Sequence, residues 1–365
     1  ATLTPPSVSD DLNYKVDTVP PSIVSSSASF GSSLNSLEDD SAATWSIVTS
    51  GVEDAQMLTV MFGEASYSAT VFSNSATLTL PAMDLQAFRE GVIAYTVDVS
   101  DAAGQAAVQH SNSFLYDASP PVVSSMTSVG TQGAAKITLN ISEAMDLAFA
   151  PLGSDFAVTV GGQVNAVTGV SVLEETIELT LADGFTPGAL VNLVYTPSGA
   201  GSSNAVLDLA GNSMTGFTKG VLSDGYIRGA QIYLDANADG IASASEILAG
   251  TTTDDAGNFF VSSDANPNNY AIIAVGGVNI DTGVANDIPL SAPAGSLTVN
   301  PISTLVQTVM SNGDAADAAQ ASAIISAALG LAPGTDLTAF DPLSEIATGG
   351  AAGAIAAQKA AGQII

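Results

Sequence analysis

Thr44-Trp45-Ser46-Ile47-Val48-Thr49 sets its large side chains at every second position, and the same alternation returns in Met57-Leu-Thr-Val-Met-Phe62, Tyr67-Ser-Ala-Thr-Val-Phe72, Ala76-Thr-Leu-Thr-Leu80 and Ile93-Ala-Tyr-Thr-Val-Asp-Val99. A period of two predicts strands with one face buried and one face wet. Asp84-Leu-Gln-Ala-Phe-Arg-Glu-Gly91 interrupts the series with one short helical turn that ends on glycine. Trp45 falls on the inward parity, so it reads as a core residue and not as a sugar-stacking platform.

Beyond this stretch the pattern persists in Ala135-Lys-Ile-Thr-Leu-Asn-Ile141, Phe156-Ala-Val-Thr-Val160, Thr176-Ile-Glu-Leu-Thr-Leu181 and Leu190-Val-Asn-Leu-Val-Tyr195. Turn signals recur about every ten residues, as in a β-sandwich. A repeat sets the spacing. Asp17-Thr-Val-Pro20-Pro21-Ser-Ile-Val-Ser-Ser26 returns as Asp117-Ala-Ser-Pro120-Pro121-Val-Val-Ser-Ser125, 100 residues later. Each copy reads as a last strand, a stiff Pro-Pro joint and the first strand of the next domain.

The expected organisation is therefore mostly β. Residues 1–20 form a tail strand of an upstream domain, or a strand donated to a neighbour, plus a linker. Residues 21–117 and 118–222 form two sandwiches, and 223–299 a smaller β-module with strand Tyr226–Leu234. From Asn300-Pro301 the texture turns helical, with Ile302, Leu305, Val306 and Val309 on one face. A second helix is expected from Asp314 to Leu329, and a third behind Asp341-Pro342. The Ala-rich stretch 300–365 has no stop signal at its end, so the natural polypeptide is expected to continue.

Composition narrows the chemistry. The chain of 365 residues carries 36 Asp+Glu against 6 Lys+Arg, a formal net charge of −30, yet 46% of its residues are hydrophobic. That is core-forming material and not an acidic disordered tail. Lys15, Arg89, Lys136, Lys219, Arg228 and Lys359 are too few and too scattered for a phosphate-binding surface, which argues against nucleic acid and anionic lipid as partners. With no Cys and one His there is no thiol nucleophile, no disulfide framework and no Cys/His zinc site. No apolar run is long enough for a membrane span, and Ala1-Thr-Leu-Thr-Pro-Pro6 lacks the regions of a signal peptide. No Gly-x-Ser-x-Gly elbow accompanies His110. Glu174-Glu175 flanks a strand, and Gly161-Gly162 is a hairpin turn. No catalytic constellation is legible.

One motif carries chemistry. Asp235-Ala-Asn237-Ala-Asp239-Gly240-Ile241-Ala-Ser243-Ala-Ser-Glu246 matches the twelve-residue calcium loop at every fixed position. Side-chain oxygens at positions 1, 3 and 5 come from Asp235, Asn237 and Asp239. The Ile241 carbonyl supplies position 7, Ser243 sits where water usually bridges, and Glu246 closes the shell. A strand precedes the loop where a helix is usual, so the chemistry reads as a staple within a β-module and not as a sensor. A weaker recurrence, Asp-x-Ala-Gly-[Asn/Gln], occurs at Asp101–Gln105, Asp208–Asn212 and Asp254–Asn258. It reads first as a tight turn with Asp bonding local backbone. The sharper reading adds calcium at Asp101, Asp117, Asp208 or Asp254.

The residues also resemble known families. Tyr67–Val71, Leu80-Pro-Ala-Met-Asp-Leu85, Gly91, Tyr95–Gly104 and the joint Asp117–Pro121 make residues 22–117 resemble the Ig-like repeats of Bap-type biofilm adhesins. Gln105 stands where such repeats carry Asn. Ile141-Ser-Glu-Ala-Met-Asp146, Phe156–Val160, Val194–Pro197 and Asp208–Asn212 make residues 122–220 similar to SwmB-type repeats of large bacterial surface proteins. The calcium loop and Thr251–Asn258 resemble the B-type modules of serine-aspartate surface proteins. These resemblances imply tandem Ig-like sandwiches in an extracellular bacterial structural protein, not an enzyme, with Ca2+ as its ion. Its partners would be copies of itself, other surface proteins or glycans. An adhesin stalk leads. A self-assembling layer, sheath or filament held by strand donation is the alternative, and a carbohydrate-binding module is the third.

Overall fold

The computed structural model describes residues 17–199, 204–246, 252–262, 269–349 and 352–364. The expected tail strand over residues 1–16 lies outside them. The chain divides into two compact units, residues 1–119 and 120–365.

The first unit is a sandwich of two antiparallel sheets. One has the order Ser22–Ala28, Ala43–Ser50, Ser75–Leu80. The other runs Ser33–Leu34, His110–Tyr116, Gly91–Val99, Met57–Phe62, Ala65–Thr70, its first pair being parallel. Along Ala43–Ser50 burial alternates strictly, as the period-two pattern requires. Trp45 is fully buried, with the rings of Phe30, Phe62, Tyr95 and Phe114 at 5.0–5.7 Å around it. All four pairs are edge-to-face, an arrangement favoured by the ring quadrupole. The short helix is the single turn Ala82–Leu85, held by buried Leu85, and not the expected Asp84–Gly91, since Gly91 already opens the strand Gly91–Val99.

The second unit begins with another sandwich. Val167–Leu173, Thr176–Leu181, Lys136–Ile141 and Val123–Val129 form one sheet in that order. The facing sheet runs Gln163–Val164, Phe156–Val160, Val191–Tyr195, Phe217–Leu222, Asn258–Ser262. Phe217–Leu222 also pairs in parallel with Thr298–Val299. The facing sheet therefore crosses the boundary expected at 222/223, because strands from the calcium-loop module complete it. Gly220 leaves room for the Phe259 ring, which lies where a Cβ at that position would be.

A smaller sheet, Gln231–Asp235, Ala271–Val275, Leu290–Ala292, has its own core around Ile232, Ile272 and Leu290. The expected strand Tyr226–Leu234 is two strands, Ile227–Arg228 and Gln231–Asp235, because Gly229 has φ 71° and turns the chain. Helices Pro301–Ser311, Ala318–Leu329, Pro342–Ala347 and Ala352–Ile364 follow. Asn300 accepts from the Ser303 N–H at 2.8 Å while the Ser303 hydroxyl accepts from the Asn300 N–H at 2.9 Å, a reciprocal cap ahead of Pro301. The second helix starts at Ala318 and not at Asp314, since the Asp317 carboxylate takes the cap by accepting from Gln320 N–H. Asp341 caps the third helix and accepts from the Tyr226 hydroxyl at 3.0 Å, tying helix to β-module. Burial pushes the Asp341 carboxyl above the usual range. No helix among the described residues is long and apolar enough to cross a membrane.

Candidate metal centre

Strand Gln231–Asp235 is anchored by Ile232 and Leu234 in the core and delivers Asp235 to the edge of the module, 6% exposed. The loop then coils back on itself. Ala238 and Gly240 take positive φ of 58° and 74°, and the one-turn 3-10 helix Ala244–Glu246 returns Glu246 to within reach, 7% exposed. Gly240 is the residue type this conformation favours.

Backbone N–H groups hold the carboxylates in place. Asp235 accepts from Asp239 and Gly240 N–H, each at 3.0 Å. Asp239 accepts from Ile241 N–H at 2.7 Å, and the Asn237 side-chain oxygen accepts from Asp239 N–H at 2.9 Å. Glu246 accepts from Asn237 N–H at 3.3 Å and from the N–H and hydroxyl of Ser243 at 3.1 and 2.8 Å. One oxygen each from Asp235, Asp239 and Glu246 lie within 4.8 Å of one another. The ion pairs among the described residues, Lys136–Glu178 and Arg228–Asp255, lie elsewhere. Three carboxylates so placed repel, and a hard divalent cation is the partner that offsets this. The donors are all oxygen and fit calcium. Ile241 directs its side chain to solvent, 67% exposed, and the motif asks only for its carbonyl.

The three Asp-x-Ala-Gly turns differ from this loop. Asp208 is 2% exposed; one of its oxygens accepts from the N–H groups of Ala210, Gly211 and Asn212 at 2.8, 2.6 and 2.8 Å, the other from the Asn212 amide at 2.7 Å. Asp254 repeats the box with Ala256 and Asn258 N–H and the Asn258 amide, and adds Met126 N–H at 3.0 Å. At Asp101 one oxygen accepts from Gln105 N–H at 2.8 Å, while the other is buried with no hydrogen-bond partner. The Gln105 amide instead reaches the Asp17 carbonyl at 2.7 Å. Asp17 and Asp117 accept alike from the N–H two residues on, at Val19 and Ser119, so the repeat of the sequence is a repeat of the turn.

Sequence reasoning missed Lys219. It shares inward parity with Phe217 and Val221, is 3% exposed, and donates to the Val191 carbonyl at 3.0 Å. Burial lowers its pKa from 10.5 to about 8, against the upward pull of Asp254 and Asp341. The signal was a cation at an inward strand position in a chain with few cations.

Residues 116–200 match the family model of a putative flagellar system-associated repeat. No curated protein matches the chain. Among solved structures it is similar to a segment of a 1.5-MDa bacterial ice-binding adhesin: 14% identity over 73% of this chain and 93% of that one, TM-score 0.30. A Ca2+-stabilized adhesin of an Antarctic bacterium gives 15%, 75% and 73%, TM-score 0.27. A tetra-tandem repeat from the extending region of a large adhesion protein gives 13%, 74% and 74%, TM-score 0.20. At such TM-scores these likenesses carry no argument for this chain.

Proposed function

We propose that the chain is a calcium-rigidified structural segment of a large extracellular bacterial surface protein, of the adhesin-stalk kind. The observation that carries the calcium part is the loop Asp235–Glu246, where three carboxylates converge, two of them buried, with no cation of the chain beside them among the described residues. Tandem sandwiches, joints repeated at 100 residues and the repeat-family match over 116–200 support the structural part. Calcium here acts as a staple: it fixes the end of strand Gln231–Asp235 to the turn at Glu246. Binding to the folded state alone stabilises that state by mass action.

Calorimetry on the full chain tests the loop. Asp235→Ala with Glu246→Gln is expected to remove one stoichiometric calcium site. Unchanged stoichiometry in that double variant would sink the assignment.

A further inference from the structure

We propose that one end of the second sandwich binds the terminal neutral sugar residue of a glycan, with Lys219 donating to its oxygens. A cavity of about 340 Å³ opens there between the two sheets, within the range of about 300–1,000 Å³ typical of small-molecule sites. Met126 and Ser128 line it from the strand Val123–Val129, while Val191, Lys219 and Val221 line it from the facing sheet. Parity places them. Lys219 stands between Phe217 and Val221 on the inward face of its strand. Ser128 follows buried Met126 by two residues and shares its face, yet it is exposed where the sheet ends.

The amine is the group this cavity leaves unfinished. An ammonium carries three N–H donors. Among the described residues Lys219 uses one, on the Val191 carbonyl at 3.0 Å, and both residues belong to the cavity wall. No carboxylate among the described residues forms an ion pair with it. Because Lys219 is only 3% exposed, its other donors have lost most of their water, which is costly until an acceptor arrives.

The charge around the amine selects the ligand. Asp254 and Asp341 both act on Lys219, pulling its pKa upward against burial. An anion would meet these carboxylates in a chain of net charge −30, and a cation would meet the ammonium itself. A neutral ligand rich in acceptor oxygens avoids both penalties. The wall suits a sugar: Met126, Leu190 and Val221 offer apolar surface to its C–H groups, and Lys219 offers donors to its oxygens. The rim at Ser128, Gly188 and Ala256 is exposed, so the rest of a glycan can run out to solvent. This site is separate from the loop Asp235–Glu246 and asks nothing of calcium.

Saturation-transfer NMR and calorimetry on the full chain test the proposal. The probes are the methyl glycosides of glucose, galactose and N-acetylglucosamine, with that of glucuronic acid as the charged control. At least one neutral glycoside is expected to bind, and the glucuronic acid glycoside to bind about tenfold more weakly or not at all. Lys219→Met should weaken binding by about tenfold or more, the loss of one hydrogen bond from a charged donor. Should that variant fail to fold, Ser128→Trp plugs the mouth from an exposed position and should abolish binding without lowering the melting temperature. The proposal is overturned if no neutral glycoside binds, if the charged one binds best, or if a folded variant of either kind binds as the unaltered chain does.

Discussion

The turn at Asp208 and the loop at Asp235 both start from a buried aspartate and treat its charge in opposite ways. Asp208 is enclosed by N–H donors of its own turn and by the Asn212 amide, so its charge is answered within five residues. Asp235 also receives two N–H donors, yet it faces Asp239 and Glu246. The first gives its aspartate four donors, although its carboxylate also lies close to that of Glu143. The second has only two N–H donors on Asp235 and sets three carboxylates of one loop together, the arrangement for which a cation is proposed. Counting acidic residues would not separate them; the hydrogen-bond donors around each oxygen do.

The largest effect expected from this difference is on calcium removal. Chelator should lower the melting temperature of the unit holding residues 120–365, since a ligand at one hundred times its Kd contributes about 2.7 kcal/mol. An isolated fragment spanning residues 17–119, which has its own core and lacks the loop, should melt unchanged. Equal shifts in both would break the comparison.

Next in size is the buried amine of Lys219, which donates to the Val191 carbonyl. Its folded pKa of about 8 lies below the ordinary 10.5, so the folded state binds the proton less well than the unfolded one. Above pH 10.5 the group is neutral in both states and costs nothing. Stability should fall as pH drops from 10.5 towards 8, by about 3 kcal/mol in total, and stay level below that. Lys219→Met should abolish the slope, measured by denaturant unfolding across that range. A slope that survives Lys219→Met assigns it to another group.

Asp208→Ala should cost about 2 kcal/mol by orphaning buried N–H donors. The loss should be the same with calcium and with chelator. A calcium-dependent loss would mean that Asp208, like Asp235, holds an ion.

Much of this was legible in the residues themselves. Alternation gave the sandwiches because a strand with one buried face must place Trp45 and Ile47 on the same side. The loop Asp235–Glu246 was legible as a candidate because the calcium motif constrains each of its positions, and its convergence of three carboxylates and the turn at Gly240 are what the structure adds. Sharing of the Phe217–Leu222 strand was not legible, because a strand buried between two partners reads like one buried against a single core. Nor was Lys219: an inward lysine differs from an outward one only by parity, and the cavity that admits it is built by residues far away in sequence.

The smallest effect concerns Asp101, where the two treatments of a buried carboxylate meet. Gln105 is one methylene longer than the Asn of the matching turns, and its amide overshoots the aspartate to reach the Asp17 carbonyl. One Asp101 oxygen is left buried and bare. Gln105→Asn should restore the box by returning a donor to that oxygen, while giving up an exposed hydrogen bond to Asp17. A buried acceptor without a donor costs about 1–3 kcal/mol and an exposed hydrogen bond returns about 1 kcal/mol or less, so in chelator the substitution should stabilise the first unit by about 1 kcal/mol. Calcium separates the two readings of the turn. If Asp101 only shapes the backbone, the gain is the same with calcium present. If the bare oxygen ligates an ion, the new amide competes with it, and the gain shrinks or reverses. Thermal melts of residues 17–119 with and without the substitution, in calcium and in chelator, therefore place Asp101 with Asp208 or with Asp235.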